Sequence, residues 1–185
     1  ADMAAEPQPC LASPDHLQPV VYVGSYSKSI SPNVRVGYML ANPELMQKLL
    51  HLKMRSGPPT SQVMERVVYP ATFAARWRKP LTRLRQRLAE AHQEVGRHLH
   101  RLGFELFTES DEGMYIWTRH PAIPDSAALL DDALEKGIML GPGQLFMVDA
   151  KATGWMRFNV AFSTDPAMWE LLEKVFVKHV RRGGM

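Results

Sequence analysis

A mixed α/β fold in two parts is what this sequence predicts, and three observations predict it. Two short apolar stretches, Val20–Val23 and Arg35–Ala41, bracket a serine-rich loop that holds one lysine, Lys28. A long helical pattern then runs from Leu81 to Leu102, with Leu81, Leu84, Leu88, Ala91, Val95, Leu99 and Leu102 recurring at threes and fours. Beyond it, short strand-like segments alternate with two capped helices, the texture of a small sheet with helices on one face, an α+β sandwich. A boundary near residue 80 then separates residues 1–80 from residues 81–185.

The first part begins with a Pro-rich connecting loop over residues 1–19. Val20–Val23 is apolar and β-branched and reads as a buried strand, which Gly24 ends. Pro32 pushes Ser31 out of the helical region, so no long helix starts at Lys28. Lys28 therefore stands at the mouth of a sheet between two strands, with Ser25, Ser27, Ser29, Ser31 and Arg35 near it in sequence. Asn42-Pro43 starts a helix, a cap followed by proline at the first helical position. Leu45, Leu49 and Leu52 give that helix one apolar stripe, and Gly57 stops it. Thr60–Arg78 is helical again, with Val63, Val67 and Phe73 inward and Pro70 bending or interrupting the segment.

The long helix carries arginines on its other faces, among them Arg83, Arg85, Arg87, Arg97 and Arg101. Glu90 and Glu94 interrupt this run, and no aromatic residue offers a base a stacking partner, so a solvated flank is the preferred reading over a nucleic-acid surface. His98 and His100 are two apart and face different ways, so they are no metal pair. After a stop at Gly103, strands are predicted at Phe104–Phe107, Gly113–Thr118, Ile138–Leu140 and Trp155–Phe162. Gly141-Pro142-Gly143 reads as a turn. Helices are predicted at Asp125–Lys136, closed by Gly137, and from Asp165-Pro166 onward, with Met168, Leu172, Val175 and Phe176 inward.

Composition bounds the class. At 185 residues, 45% hydrophobic and 22% charged, the chain is long enough for a real core and is not disordered by composition. A net charge of +3 is too small to argue for nucleic acid by itself. One cysteine, Cys10, leaves no internal disulfide framework and fits a reducing compartment. No apolar run approaches the roughly 20 residues that span a membrane, and no signal peptide opens the chain, so a cytoplasmic location is expected.

A lone lysine in a serine-rich loop is ordinarily solvated surface. This one has company that suits a particular chemistry. A lysine amine forms a Schiff base with an aldehyde, an arginine grips phosphate through two parallel hydrogen bonds, and serine hydroxyls add donors at little steric cost. Pyridoxal 5′-phosphate carries both an aldehyde and a phosphate. Ser25-x-x-Lys28 also matches the serine motif of penicillin-binding proteins and β-lactamases. That motif needs a serine at a helix start with later S-D-N and K-T-G elements; here Pro32 shortens any helix, no S-D-N occurs, and Lys151-Ala152-Thr153-Gly154 only approaches the last.

The string V-x-Y-V-G-S-Y-S-K-x-x-S-P-x-x-R-V-G-Y over residues 20–38 resembles the lysine segment of fold type I aminotransferases. It is most similar to the branch holding aminoadipate-type aminotransferases and the MocR regulators of the GntR family. The resemblance implies a fold type I α/β architecture, of which this chain carries the C-terminal portion: part of the large-domain sheet, a long linking helix and the small α+β domain. It implies pyridoxal 5′-phosphate as cofactor, Lys28 as the Schiff-base lysine and catalytic proton carrier, and Ser25, Ser27 and Arg35 as holders of the phosphate.

A second signal lies in GWMRFNVAFS. Strand alternation puts Met156, Phe158, Val160 and Phe162 on a core face and Trp155, Arg157, Asn159 and Ala161 on the other. A mid-strand guanidinium is expensive to leave unpaired. Taken by itself, Arg157 either pairs with a neighbouring Asp or Glu or serves as a fork for a ligand carboxylate. The resemblance favours the fork, because the family's substrate-carboxylate arginine falls in the same R-x-x-x-A/S setting. EGMYIW and GIMLGPGQLF also stand at the family's usual places.

Two functions from different classes follow from the resemblance. One is the effector domain of a MocR-type transcription regulator that senses an amino acid or amine, binding DNA only through a segment absent from this chain. The other is an aminotransferase that moves an amino group between an amino acid and a 2-oxo acid. WMRFNVAFSTDPAMW and PLTRLRQRLAEAH favour the regulator. A homodimer, no metal and no membrane association are expected. The family's Asp-x-Tyr strand, which meets the cofactor ring, is not in the sequence, so this chain alone is not expected to transaminate.

Overall fold

The structure, a computed structural model, describes residue 18 and residues 20–73, 78–109 and 113–183. The chain divides between Leu84 and Arg85 into two compact units. The expected linker over residues 1–19 and Cys10 lie outside the described residues, apart from Gln18, which is exposed.

In the first unit a two-stranded hairpin pairs β1 (Tyr22–Ser25) antiparallel with β2 (Gly37–Leu40), Ser25 opposite Gly37 and Gly24 opposite Tyr38. Gly24 does not end the first strand as expected; it belongs to the ladder. The Tyr38 ring lies across it, in the space any Cβ would occupy, so this glycine marks a close approach and not a stop. β2 begins two residues later than expected because Arg35 adopts a left-handed conformation (φ 49°) that a ladder cannot accept. The expectation of buried strands is also corrected. Val23 is 68% exposed and β2 is exposed throughout.

Helix α1 (Pro43–Ser56) starts as expected, with the Asn42 side chain accepting from the Leu45 N–H at 2.9 Å. Its apolar stripe is only half-covered: Leu45 and Leu49 are half-buried and Leu52 is exposed. Helix α2 (Gln62–Phe73) passes through Pro70 without interruption. Its inward face differs from the expected one. Val63 and Val67 are 66% and 51% exposed, while Val68 is buried against Val34 and Val36. The valines of the lysine loop choose that face, which no period within the helix records. The side chain of Phe73 lies outside the described residues.

The division between units falls within α3 (Arg78–Arg101), the helix that the sequence predicted most sharply. Leu88, Ala91, Val95 and Leu99 are buried in the second unit as the spacing requires. The second unit is a four-stranded antiparallel sheet in the order β3 (Glu105–Leu106), β4 (Tyr115–Arg119), β6 (Trp155–Asn159), β5 (Gly141–Pro142). Helix α4 (Ser126–Leu134), capped by the Asp125 side chain accepting from the Ala127 N–H, and α5 (Pro166–Gly183) complete it. Ile116, Thr118, Met156 and Phe158 form the buried face of the sheet. Phe104 meets Phe158 and Phe176 edge-on or tilted, and Trp169 of α5 stacks between Phe158 and His98 of α3.

Three expectations are corrected here. The strand expected at Ile138–Leu140 pairs instead at Gly141–Pro142, where a Cβ on residue 141 would stand 2.9 Å from the Arg157 carbonyl oxygen. Ile138 and Leu140 are buried and Met139 is exposed, a strand-like alternation that stands one step before the ladder. The expected turn at residues 141–143 is therefore a strand followed by a 3₁₀ turn at Gly143–Phe146. Finally, β6 stops at Asn159, whose side chain accepts from the Ala161 N–H and starts a 3₁₀ turn over Val160–Phe162. That turn breaks the period of two, and Phe162, expected in the core, is 81% exposed.

Two histidines tie this core to pH. His98 lies flat on Trp169 with ring centroids 4.7 Å apart, and His120 meets Phe176 at 4.5 Å. Burial disfavours the imidazolium at both, so both pKa values lie below the ordinary 6.5; at His98 the neighbouring Arg101 adds to the effect. A depressed folded-state pKa means the unfolded chain binds the proton more readily. The stabilisation is therefore fully present above 6.5 and is lost as pH falls through the folded values. Urea midpoints measured across that range should drop on the acid side, and the double variant His98→Gln/His120→Gln should flatten the drop.

Candidate functional site

The lysine loop is fixed from both ends. At its neck the Tyr26 N–H donates to the Val36 carbonyl at 3.0 Å. The Ile30 N–H donates to the Tyr26 carbonyl at 2.8 Å, which closes residues 26–30 into a single helical turn around Lys28. The Ser31 hydroxyl then accepts from the Asn33 N–H, opening a 3₁₀ turn at Pro32–Val34 that Arg35 ends. Tyr26 and Ile30 pack on Val34, Val36 and Val68. The apolar residues on each side of Lys28 are thus anchored while Lys28 itself is exposed.

Ser25, Ser27, Lys28 and Arg35 lie together in this one loop. The Ser27 N–H donates to the Ser25 hydroxyl at 3.1 Å. Among the described residues, neither the Lys28 amine nor the Arg35 guanidinium has a hydrogen bond or ion pair. Arg35 is one of two non-glycine residues with positive φ in the described chain, a strained position of the kind that clusters at ligand sites. Ser29, counted from the sequence only as a neighbour of Lys28, has the sharpest signature. Its Oγ is buried and has no hydrogen-bond partner among the described residues, a state that costs about 1–3 kcal/mol. Sequence could not reveal this, because which serine among several is buried depends on how the loop packs in three dimensions.

Tyr38 stacks on Tyr22 at 6.0 Å and meets Tyr26 at 5.5 Å. Burial, reinforced by a hydrogen bond with Tyr22, raises the pKa of Tyr38 above its ordinary 10.0. These rings wall the neck of the loop. Their signal in the sequence was the recurrence of tyrosine on both sides of Lys28, which carried no weight without the hairpin register.

Arg157 belongs to the second unit. It stands mid-strand in β6, opposite Trp117 of β4 and Gly141 of β5, and is half-buried. No carboxylate pairs with it among the described residues. Its guanidinium instead lies over two rings, Tyr115 at 4.1 Å and Phe146 at 3.9 Å from Cζ to centroid. A cleft of about 410 Å³ opens beside it, lined also by Lys136, Met139, Asn159, Phe162 and Asp165. Among the described residues there is no cluster of metal ligands, and no helix is long and apolar enough to cross a membrane.

Residues 1–175 match the family described as aminotransferase class I and II. Similar curated proteins fall in two groups. A 2-aminoadipate transaminase of Thermus thermophilus is 29% identical over 150 residues, covering 77% of this chain and 36% of the relative. The HTH-type transcriptional regulator NorG of Staphylococcus aureus is 24% identical over 175 residues, covering 93% and 39%. The HTH-type transcriptional regulator YdcR of Escherichia coli is 30% identical over 145 residues, covering 77% and 31%. Among solved structures, the α-aminoadipate aminotransferase LysN of Thermus thermophilus, complexed with N-(5′-phosphopyridoxyl)-L-leucine, aligns with a TM-score of 0.79 at 25% identity over 93% of this chain and 45% of that one. The multiple substrate aminotransferase of Thermococcus profundus shares the fold with a TM-score of 0.84 at 20% identity over 98% and 46%. The chain thus spans less than half the length of these relatives, and its fold is that of part of a fold type I aminotransferase. The chain belongs to the class I and II aminotransferase family, whose cofactor is pyridoxal 5′-phosphate.

Proposed function

We propose that this chain is part of the pyridoxal-phosphate-binding effector domain of a MocR/GntR-type transcription regulator. The observation that carries the cofactor-binding part of the reading is the lysine loop: an exposed amine held on an apolar anchor, beside a guanidinium with no hydrogen bond or ion pair among the described residues. The donor set fits the cofactor. Lys28 offers the amine, and Ser25, Ser27 and Arg35 offer donors for a phosphate. When bound, the cofactor supplies an aldehyde that bonds to the lysine and a ring that withdraws electrons from the bond formed. Lys28 Nζ would anchor it and could hold or move a proton. Arg157 presents its donors to a ligand carboxylate.

The regulator reading draws on the match to NorG over 93% of the chain. DNA contact would then come from a further segment, and a homodimer in the cytoplasm is the expected assembly. The second reading, an aminotransferase, draws on the 2-aminoadipate transaminase match and on the solved aminotransferases. One experiment separates them: promoter affinity of the intact protein at fixed salt, with and without cofactor and a panel of amino acids and amines, beside an assay for released 2-oxo acid. A regulator shows amino-acid-dependent promoter affinity. Rapid oxo-acid release with no promoter binding at any salt makes it an aminotransferase.

Arg35 gives a residue-level check. Arg35→Ala should weaken cofactor binding by about 1.5–3 kcal/mol, the range for a hydrogen bond to a charged group. Arg35→Gly should lose the same affinity while gaining about 0.5–1 kcal/mol of folding stability, because glycine adopts positive φ without strain. Absorbance titration with cofactor and urea unfolding measure the two effects separately.

A further inference from the structure

The surroundings of Arg157 assign two residues that neither the lysine motif nor the strand pattern pointed to. Tyr115 lies diagonally across from Arg157 on β4, and Phe146 comes from the 3₁₀ turn after β5, which flanks β6 on its other side. The Arg157 Cζ stands over the Phe146 and Tyr115 rings, 3.9 and 4.1 Å from their centroids, a distance at which a guanidinium stacks on an aromatic face. Its five N–H donors lie in its plane, and none has a partner among the described residues. The rings take the faces and leave the edge. Phe146 is itself fixed, edge-on to Trp117 at 5.7 Å, and Trp117 stacks on Trp155 at 5.9 Å with planes 1° apart.

We propose that Tyr115 and Phe146 are positioning residues that hold the Arg157 guanidinium edge-on to a planar carboxylate, and so select a carboxylate-bearing ligand over an amine. This rests on the reading of Arg157 as the ligand-binding arginine. The physical basis is preorganisation. A free arginine loses rotamer freedom when it grips a ligand, whereas one already stacked between rings has lost it beforehand. An edge fork matches two coplanar oxygens; a spherical anion takes no two parallel bonds from it.

The test uses the intact protein labelled with 15N-arginine and titrated with acetate, with chloride at equal ionic strength as control. In the parent protein the Arg157 Nε–H resonance should lie upfield through the ring currents and shift saturably with acetate but not with chloride. Tyr115→Leu and Phe146→Leu should each lose part of the upfield displacement and weaken acetate by about threefold to tenfold. Tyr115→Phe and Phe146→Tyr, which keep a ring, should bind as the parent does. Leucine variants that bind acetate like the parent, while Arg157→Ala has lost it, overturn the positioning role alone. Parental affinity in Arg157→Ala, or an Arg157 resonance that acetate never moves, overturns the reading of Arg157 and the proposal with it.

Discussion

Lys28→Ala in the intact protein should abolish the pyridoxyl adduct that borohydride reduction otherwise fixes on the chain. Lys28 is exposed and makes no hydrogen bond or ion pair among the described residues, so its amine is available to an aldehyde. The nearest lysines in sequence are engaged: Lys48 Nζ donates to Glu44 at 2.7 Å, and Lys53 Nζ to the Thr60 hydroxyl at 3.5 Å. The same exposure predicts a second result. Removing an unpaired surface side chain should change folding stability by no more than about 0.5 kcal/mol, so loss of the adduct cannot be blamed on unfolding. Peptide mapping should place the parental adduct on the Tyr22–Arg35 stretch. An adduct on Lys48 or Lys53 ends the assignment.

Trp169→Ala should destabilise the second unit by about 3–5 kcal/mol, a large part of the 5–15 kcal/mol typical of a whole domain. Trp169 is 1% exposed and stacks on both His98 and Phe158, so its removal opens a cavity between α3, α5 and the sheet. Its indole N–H also donates to the Ser163 carbonyl at 2.7 Å in a buried setting, leaving that oxygen unpaired when the ring is gone. Trp169→Phe keeps most of the ring and loses the donor, and should cost about 1–3 kcal/mol. Urea unfolding with unchanged slope measures both. Equal costs for the two variants would mean that the hydrogen bond, not the ring, supplies the stability.

Much of the fold was legible because it rests on local rules. The caps at Asn42 and Asp125 and the stripe from Leu88 to Leu99 follow from interactions within a few residues of one another, and the structure places them as read. Phe162 and Val63 are exposed against expectation for one shared reason. A period says which residues share a face, but another element decides which face is covered. Asn159 switched the strand into a turn, and Val34 and Val36 selected Val68. Trp169 escaped the inward set for α5 because its neighbour Met168 completes an equally good apolar period.

The sequence by itself determined the family and marked the lysine loop, since residues at fixed offsets around Lys28 carry the resemblance without any knowledge of distant contacts. Only the tertiary structure decided that the Ser29 hydroxyl is buried without a hydrogen-bond partner among the described residues and that Arg157 lies over Tyr115 and Phe146 with no acid paired to it among those residues. Burial and stacking join residues far apart in the chain. Phe146 and Arg157 meet only because β5 and β6 are neighbours in the sheet, and pairing between strands depends on the energy of the whole packed layer.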